Sequence, residues 1–188
     1  MDVIIVGDGP GGLSAALFLA KNGLRVVVLG QDKTAMHWAQ LRNYLGVVDV
    51  HGSELQRIGR GQVTAVGGEL RDEHVEAVAR AGDGWTVTLA GGEQLSAPDL
   101  ILSEGKAPRL AQQLGLRFDE ATGIETDRNA RTALGAYVVG RSARPGRSQA
   151  IISAGDGAAA AIRCRLCHCA RHLLRPRLLR LAKCVLLH

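Results

Sequence analysis

The stretch from Val3 to Asp32, VIIVGDGPGGLSAALFLAKNGLRVVVLGQD, constrains the fold more than any other part of the chain. An apolar run over Val3 to Val6 reads as a buried strand. It passes without a break into Gly7-Asp8-Gly9-Pro10-Gly11-Gly12 and then into a helix carrying Leu13, Ala16, Leu17 and Ala20 on one face. Each glycine answers a separate need: Gly7 a tight bend, Gly9 a backbone that a pyrophosphate can approach, Gly12 close packing of helix on sheet. With Pro10 and Gly11 completing the turn, the unpaired N–H groups of the first helical turn and the positive end of its dipole suit a diphosphate without a basic side chain. Gly23 ends the helix, and Leu24 to Leu29 forms a second buried strand. Asp32, twenty residues beyond Gly12, stands where a carboxylate can accept hydrogen bonds from a ribose. A bare Gly-x-Gly-x-x-Gly means little in a chain with 24 glycines, but two flanking strands, a helix and a spaced acid make it a dinucleotide-binding βαβ unit.

At 188 residues the chain suits one domain, because two would both be undersized. The net charge of +5 is unevenly placed. Seven of the 23 basic residues and no carboxylate fall in 162–188, which leaves residues 1–161 with 16 basic against 18 acidic side chains. Such a body offers no broad basic face for nucleic acid. The apolar runs are too short to span a bilayer, and the first is interrupted by glycines and Asp8 rather than forming a secretory signal. All four cysteines lie at 164 or beyond, so the body needs no disulfide and suits a cytoplasmic setting.

Residues Lys33 to Gly52 lack periodicity and hold Met36, His37, Trp38, Tyr44 and His51, which reads as an excursion over the ligand site. His37, His51 and His74 are more often surface groups than participants in chemistry, and Trp85 reads as core. Ser53 is positioned to cap a helix through Arg57 and on to Val66, with Leu55, Ile58 and Gln62 spaced along it. Glu69 to Arg71 is a short parallel strand, and His74 to Ala81 with Trp85 to Ala90 flank the turn Gly82-Asp83-Gly84 as a hairpin. Pro98 to Leu102 supplies another buried strand. The expected architecture is α/β, a Rossmann-like domain with a parallel sheet and an inserted antiparallel meander.

Taken together, Gly7 to Ala16 with Gly30-Gln31-Asp32 resembles the FAD-binding start of the thioredoxin reductase family, within the pyridine nucleotide-disulfide oxidoreductases. Asn43-Tyr44-Leu45-Gly46 resembles that family's segment near the flavin, Asp99 to Gly105 its strand and turn, and Gly135 to Gly140 its return strand. Ser148 to Gly157 is similar to its closing flavin-facing helix. The resemblance covers residues 1–162 and implies FAD as cofactor, with no metal. It implies a pyrophosphate over Gly9 to Gly12, an isoalloxazine between the Tyr44 loop and the Gly155-Asp156-Gly157 segment, and Gly140 at the return turn. A homodimer is compatible with it.

Departures from the pattern matter equally. The family's NADPH-binding domain and its Cys-x-x-Cys lie between the two halves of the FAD domain, whereas here Gly105 is followed within twenty residues by Gly123. The resemblance therefore implies a short form, lacking the NADPH-binding domain, whose reductant or redox partner is external. Arg141 stands where an acid usually follows Gly140, and Glu104 where a small hydroxyl residue is usual. Residues 163–188 read as a basic appendage; Cys164-x-x-Cys167 has dithiol spacing, while Cys167-His168-Cys169 is too crowded for paired metal ligands. The expected function is an FAD-dependent oxidoreductase, with a non-enzymatic FAD-binding or redox-sensing module as the alternative.

Overall fold

The apolar runs on either side of the glycine turn become the two central strands of a parallel sheet, where neither face meets water and continuous Val/Ile/Leu is required. The computed structural model describes residues 1–173. β1 (Val3–Val6) leads to α1 (Pro10–Lys21), β2 (Val26–Gly30) and a 3-10 turn at Ala35–Trp38. Strands β3 (Gln40–Leu41) and β4 (Val50–His51) pair across the excursion, before α2 (Gly52–Ala65) and β5 (Glu69–Asp72). β6 (Val75–Ala81), β7 (Gly84–Leu89) and β8 (Gln94–Ala97) form the antiparallel meander, and β9 (Asp99–Leu102) returns to the main sheet. α3 (Arg109–Gln113), the pair β10 (Phe118–Asp119) and β11 (Gly123–Ile124), then β12 (Tyr137–Val138) and α4 (Ala150–Leu173) follow.

The main sheet has the order β12-β9-β1-β2-β5, with every pairing parallel. Alternate residues feed two cores. Val3, Ile5, Val26, Val28, Ile101 and Tyr137 pack under α1, α4 and Val63 of α2. Ile4, Val6, Val27, Leu29, Leu100 and Leu102 pack against the meander. The result is three layers, helices on sheet on meander, with each fully buried aliphatic side chain contributing about 1.5–3 kcal/mol. Trp85 is part of the meander core, and the Arg80 guanidinium lies 4.8 Å from its ring centre. α1 closes as the glycine pattern requires: Gly23 has φ +82°, and the N–H groups of Gly23 and Leu24 return to the carbonyls of Ala20 and Leu19.

α2 departs from its expected form. It begins at Gly52 with His51 as N-cap, and Ser53 bonds His51 Nδ1 through its hydroxyl at 2.7 Å rather than capping the helix. Its buried face is Gly52, Gln56 and Val63, with Ile58 exposed. A Cβ at Gly52 would stand 1.8 Å from the Met36 carbonyl oxygen, so this helix must start on glycine to lie against the 3-10 turn. α4 begins at Ala150 and runs through residue 162 unbroken. Cys164 is sealed in the helical core, Arg165 bonds Asn22 Oδ1 at 2.6 Å, and Arg171 pairs with the buried Asp99. The described part of the 163–188 appendage thus packs on the body, with Arg165 and Arg171 partnered there and Arg163 exposed; the rest lies outside the described residues. Among the described residues no helix is long and apolar enough to cross a membrane.

Candidate functional site

Four segments leave the carboxyl ends of the parallel strands and enclose a cleft of about 630 Å³. They are the glycine turn after β1, Gly30 to Met36 after β2, Ser103 to Ala107 after β9, and Val139 to Arg141 after β12. Ligands of open α/β sheets bind in this crevice, beyond the strand ends.

The glycine turn forms its floor. Gly7 has φ +98°, and a Cβ there would lie 2.2 Å from the Ser103 carbonyl oxygen, so the turn is both left-handed and pressed on the β9 loop. A Cβ at Gly12 would lie 1.9 Å from the Gly7 carbonyl oxygen. Gly9 differs: it is the N-cap of α1 with ordinary extended angles, and its absent Cβ would meet nothing nearer than Thr34 Cγ2 at 3.9 Å. The space over Gly9 is therefore left to the cleft. Pro10 occupies the first helical turn, which carries no side-chain cap and no acidic residue, leaving its N–H groups available to an anion. Gly11 lies against Val139, Ser103 and Ser153, and Gly140 takes φ +72° beside Ser153.

The remaining predicted residues are dispersed. Asp32 has φ +52° and its half-exposed carboxylate reaches His37 Nε2 at 3.2 Å rather than the cleft wall. Tyr44 lines a separate cavity of about 120 Å³ with Leu13, Met36 and Gln56. Gly155 is exposed, and Asp156 pairs with Arg144 Nε at 3.0 Å. What α4 presents to the cleft is its start, Ser148, Gln149, Ala150 and Ser153, because the helix begins five residues before Gly155.

Two departures from the family pattern resolve in space. Glu104 turns away from the glycine floor and accepts the N–H groups of Leu110 and Ala111, at 2.7 and 3.0 Å. Burial pushes its carboxyl up, an effect these two bonds partly offset. Arg141 is exposed at the cleft edge, and with Lys33 and Lys106 it brings three cations to the lining, none of them in an ion pair among the described residues.

Residues that sequence reasoning missed include Asp8, buried and lining the cleft, and Thr34, whose hydroxyl is enclosed with no hydrogen-bond partner. The Thr34 methyl stands 3.9 Å from the Cβ position of Gly9, and the enclosed Thr34 hydroxyl calls for a partner. Neither carried a signal beyond its place in or after the motif. Thr34→Val is expected to weaken dinucleotide binding about 10- to 150-fold, the worth of one hydrogen bond to a charged group, in a flavin fluorescence titration. The open face over Gly9, the uncapped helix end and the Thr34 hydroxyl together fit a diphosphate-bridged dinucleotide.

The comparisons agree with this geometry. A family described as "FAD binding domain" matches residues 2–84. The chain is 34% identical to the thioredoxin reductase of Streptomyces coelicolor over 125 residues, 64% of this chain and 38% of that protein. It is 35% identical to that of Mycolicibacterium smegmatis over 124 residues, 64% and 39% of the two. The matched part thus spans less than two fifths of these relatives. In fold, the atypical thioredoxin reductase TRi from Desulfovibrio vulgaris Hildenborough superposes with a TM-score of 0.82 at 17% identity, covering 94% of this chain and 99% of that one. The chain thus resembles the FAD-binding part of thioredoxin reductases over about two thirds of its length, and its glycine-floored cleft is one that FAD fits.

Proposed function

We propose that this chain is a FAD-holding redox module, a member of an oxidoreductase family by fold, that exchanges electrons with external partners and lacks a dithiol and an NADPH site of its own. The observation that carries this reading is the connection from Gly105 to Gly123. There the five-residue helix α3 and the two-residue strand β10 are the elements between the β9 loop and β11, and Glu104 holds α3 in place. Bound flavin supplies the electron chemistry, and the chain supplies position and charge. Its residues divide that work. The α1 N-terminus, Lys33, Lys106 and Arg141 balance the diphosphate, Thr34 donates to it, and Gly140 with the α4 start lines the opposite wall. Tyr44 and Asp156 act at one remove, through the wall of the small cavity and the Arg144 pair.

The cysteines support the same reading. Cys164 is fully enclosed and burial pushes its thiol far up, the reverse of what a reactive thiolate needs. Cys167 receives the Tyr137 hydroxyl at 4.0 Å, on the helical side of the sheet. The test is anaerobic stopped-flow reduction of the FAD-loaded chain by NADH, NADPH and dithiol donors, with photoreduction as the control for a redox-competent flavin. The expected result is photoreduction without steady turnover, and rates in Cys164→Ala/Cys167→Ala within about twofold of the parent. Turnover at about 1 s⁻¹ or faster with any donor–acceptor pair would instead establish an oxidoreductase with an external reductant. A tenfold loss in the cysteine variant would make the thiols redox elements.

A further inference from the structure

The floor of the cleft contains a buried carboxylate that the diphosphate does not explain. Resting on the FAD reading above, we propose that Asp8, inside the glycine turn, is the acceptor for the adenosine ribose hydroxyl, in place of a side chain at the end of β2 or of Asp32. A βαβ dinucleotide fold receives that ribose beside the end of its second strand. Here that strand ends on Gly30, and a Cβ at Gly30 would lie 2.3 Å from Asp8 Cγ and 2.6 Å from Asp8 Oδ1. The carboxylate of Asp8 thus fills the space into which a side chain from residue 30 would grow.

Its orientation is set from outside the turn. Arg60 of α2 pairs with Asp8 Oδ2 and is itself held by Asp72 Oδ1 at 2.6 Å. The N–H of Asp32 donates to the same Oδ2 at 3.1 Å. One turn earlier on α2, Gln56 Nε2 donates to the backbone carbonyl of Asp8. Both bonds to the carboxylate therefore land on one oxygen, and among the described residues no donor reaches Oδ1. Asp8 is only 3% exposed yet lines the cleft, so the free acceptor points where a ligand would lie. A largely desolvated carboxylate oxygen gains most from a hydroxyl donor and repels a phosphate at the same place. The site should accordingly read an unmodified ribose. Asp32 supplies its backbone N–H to this arrangement while its own carboxylate faces His37.

The test is displacement of bound flavin by ADP and by 2′-deoxy-ADP from the full-length parent, Asp8→Asn, Asp32→Ala, and the double variant Asp8→Gly/Gly30→Glu. The parent is expected to prefer ADP by about tenfold or more, as for a hydrogen bond to a charged group. That ratio should fall to near one in Asp8→Asn, persist in Asp32→Ala, and return in the double variant, which sends a carboxylate into the vacated space from the strand side. A ratio between two ligands is insensitive to how much of a variant is folded. A ratio kept in Asp8→Asn, a ratio lost in Asp32→Ala, or a parent that binds both ligands equally would overturn the assignment. Should Asp8→Asn fail to fold, a folded double variant without the preference overturns it as well, and one with the preference upholds it. A parent that binds neither FAD nor ADP refutes the FAD reading itself, so the two failures are told apart.

Discussion

Gly9→Val is expected to abolish retention of FAD while leaving the fold intact. The backbone of Gly9 is extended, with φ −70° and ψ 179°, angles that valine adopts freely. Its Cβ would approach only Thr34 Cγ2, at 3.9 Å, so no protein atom resists the new side chain. What the isopropyl group does occupy is the volume above the α1 N-terminus, between a diphosphate and the N–H groups meant to hold it. Affinity should drop at least about a hundredfold, or ~2.8 kcal/mol. The weaker helix cap costs stability on the order of 1 kcal/mol or less. Flavin absorbance per mole of purified protein, read beside circular dichroism, checks both halves. Equal flavin content in variant and parent would remove the diphosphate from Gly9.

Gly157→Val should have the opposite profile, a loss of fold that takes the site with it. A Cβ at Gly157 would stand 2.0 Å from the Gly11 carbonyl oxygen, 2.9 Å from its carbon and 3.1 Å from the Ala15 nitrogen. All three are backbone atoms of α1, which is tied to β1 by the turn and cannot rotate aside as a side chain would. Overpacking against such a surface costs about 3 kcal/mol or more, a large share of the roughly 5–15 kcal/mol that a domain possesses. For a chain of this size the melting temperature should fall by about 6–12 °C. Gly155→Ala provides the contrast two residues away. Nothing lies within 4 Å of its Cβ position, and alanine favours the helix by about 0.5–1 kcal/mol, so this variant should melt later than the parent. Urea midpoints for the pair decide the matter. Coincident midpoints would mean that α4 does not rest on the first turn of α1.

That contact ties fold to function. The glycine turn is shaped by Gly7 against the β9 loop, by Gly12 against Gly7, and by Gly157 pressing on Gly11 from the other end of the chain. The cleft floor is thus preorganised by close backbone contacts from three segments, the arrangement needed where backbone N–H groups do the binding. Glu104 acts in the same sense. Its carboxylate accepts the N–H groups at the start of α3 and so fixes that helix to the β9 loop.

The β1–turn–α1–β2 unit was legible because every requirement in it is local. Positive φ selects glycine, two-faced burial selects continuous aliphatic residues, and Pro10 with Gly23 marks the two ends of the helix. The meander was legible for a similar reason, since Gly82-Asp83-Gly84 and the alternation in β7 specify a hairpin without outside help. α2 was legible in extent, to within a residue at each end, but not in its cap or its inward face. Its buried face is made of Gly52, Gln56 and Val63, and the glycine and glutamine are inward because Met36 and Asp8 come to meet them. No apolar stripe announces such a face.

The sequence by itself determined the backbone of this protein: where the chain turns, which runs are strands, and that a glycine turn leads into the first helix. Those outcomes follow from what each residue type permits its own backbone. The tertiary structure alone decided which polar groups line the cleft. Asp8 rather than Asp32 lines the cleft because Arg60, 52 positions away, pulls it there. Thr34 is left with an unpaired hydroxyl, and Cys164 is sealed on the inner face of α4 although its spacing to Cys167 suggested chemistry. The direction of a side chain depends on partners brought together only when the chain closes, and no spacing along the sequence contains them.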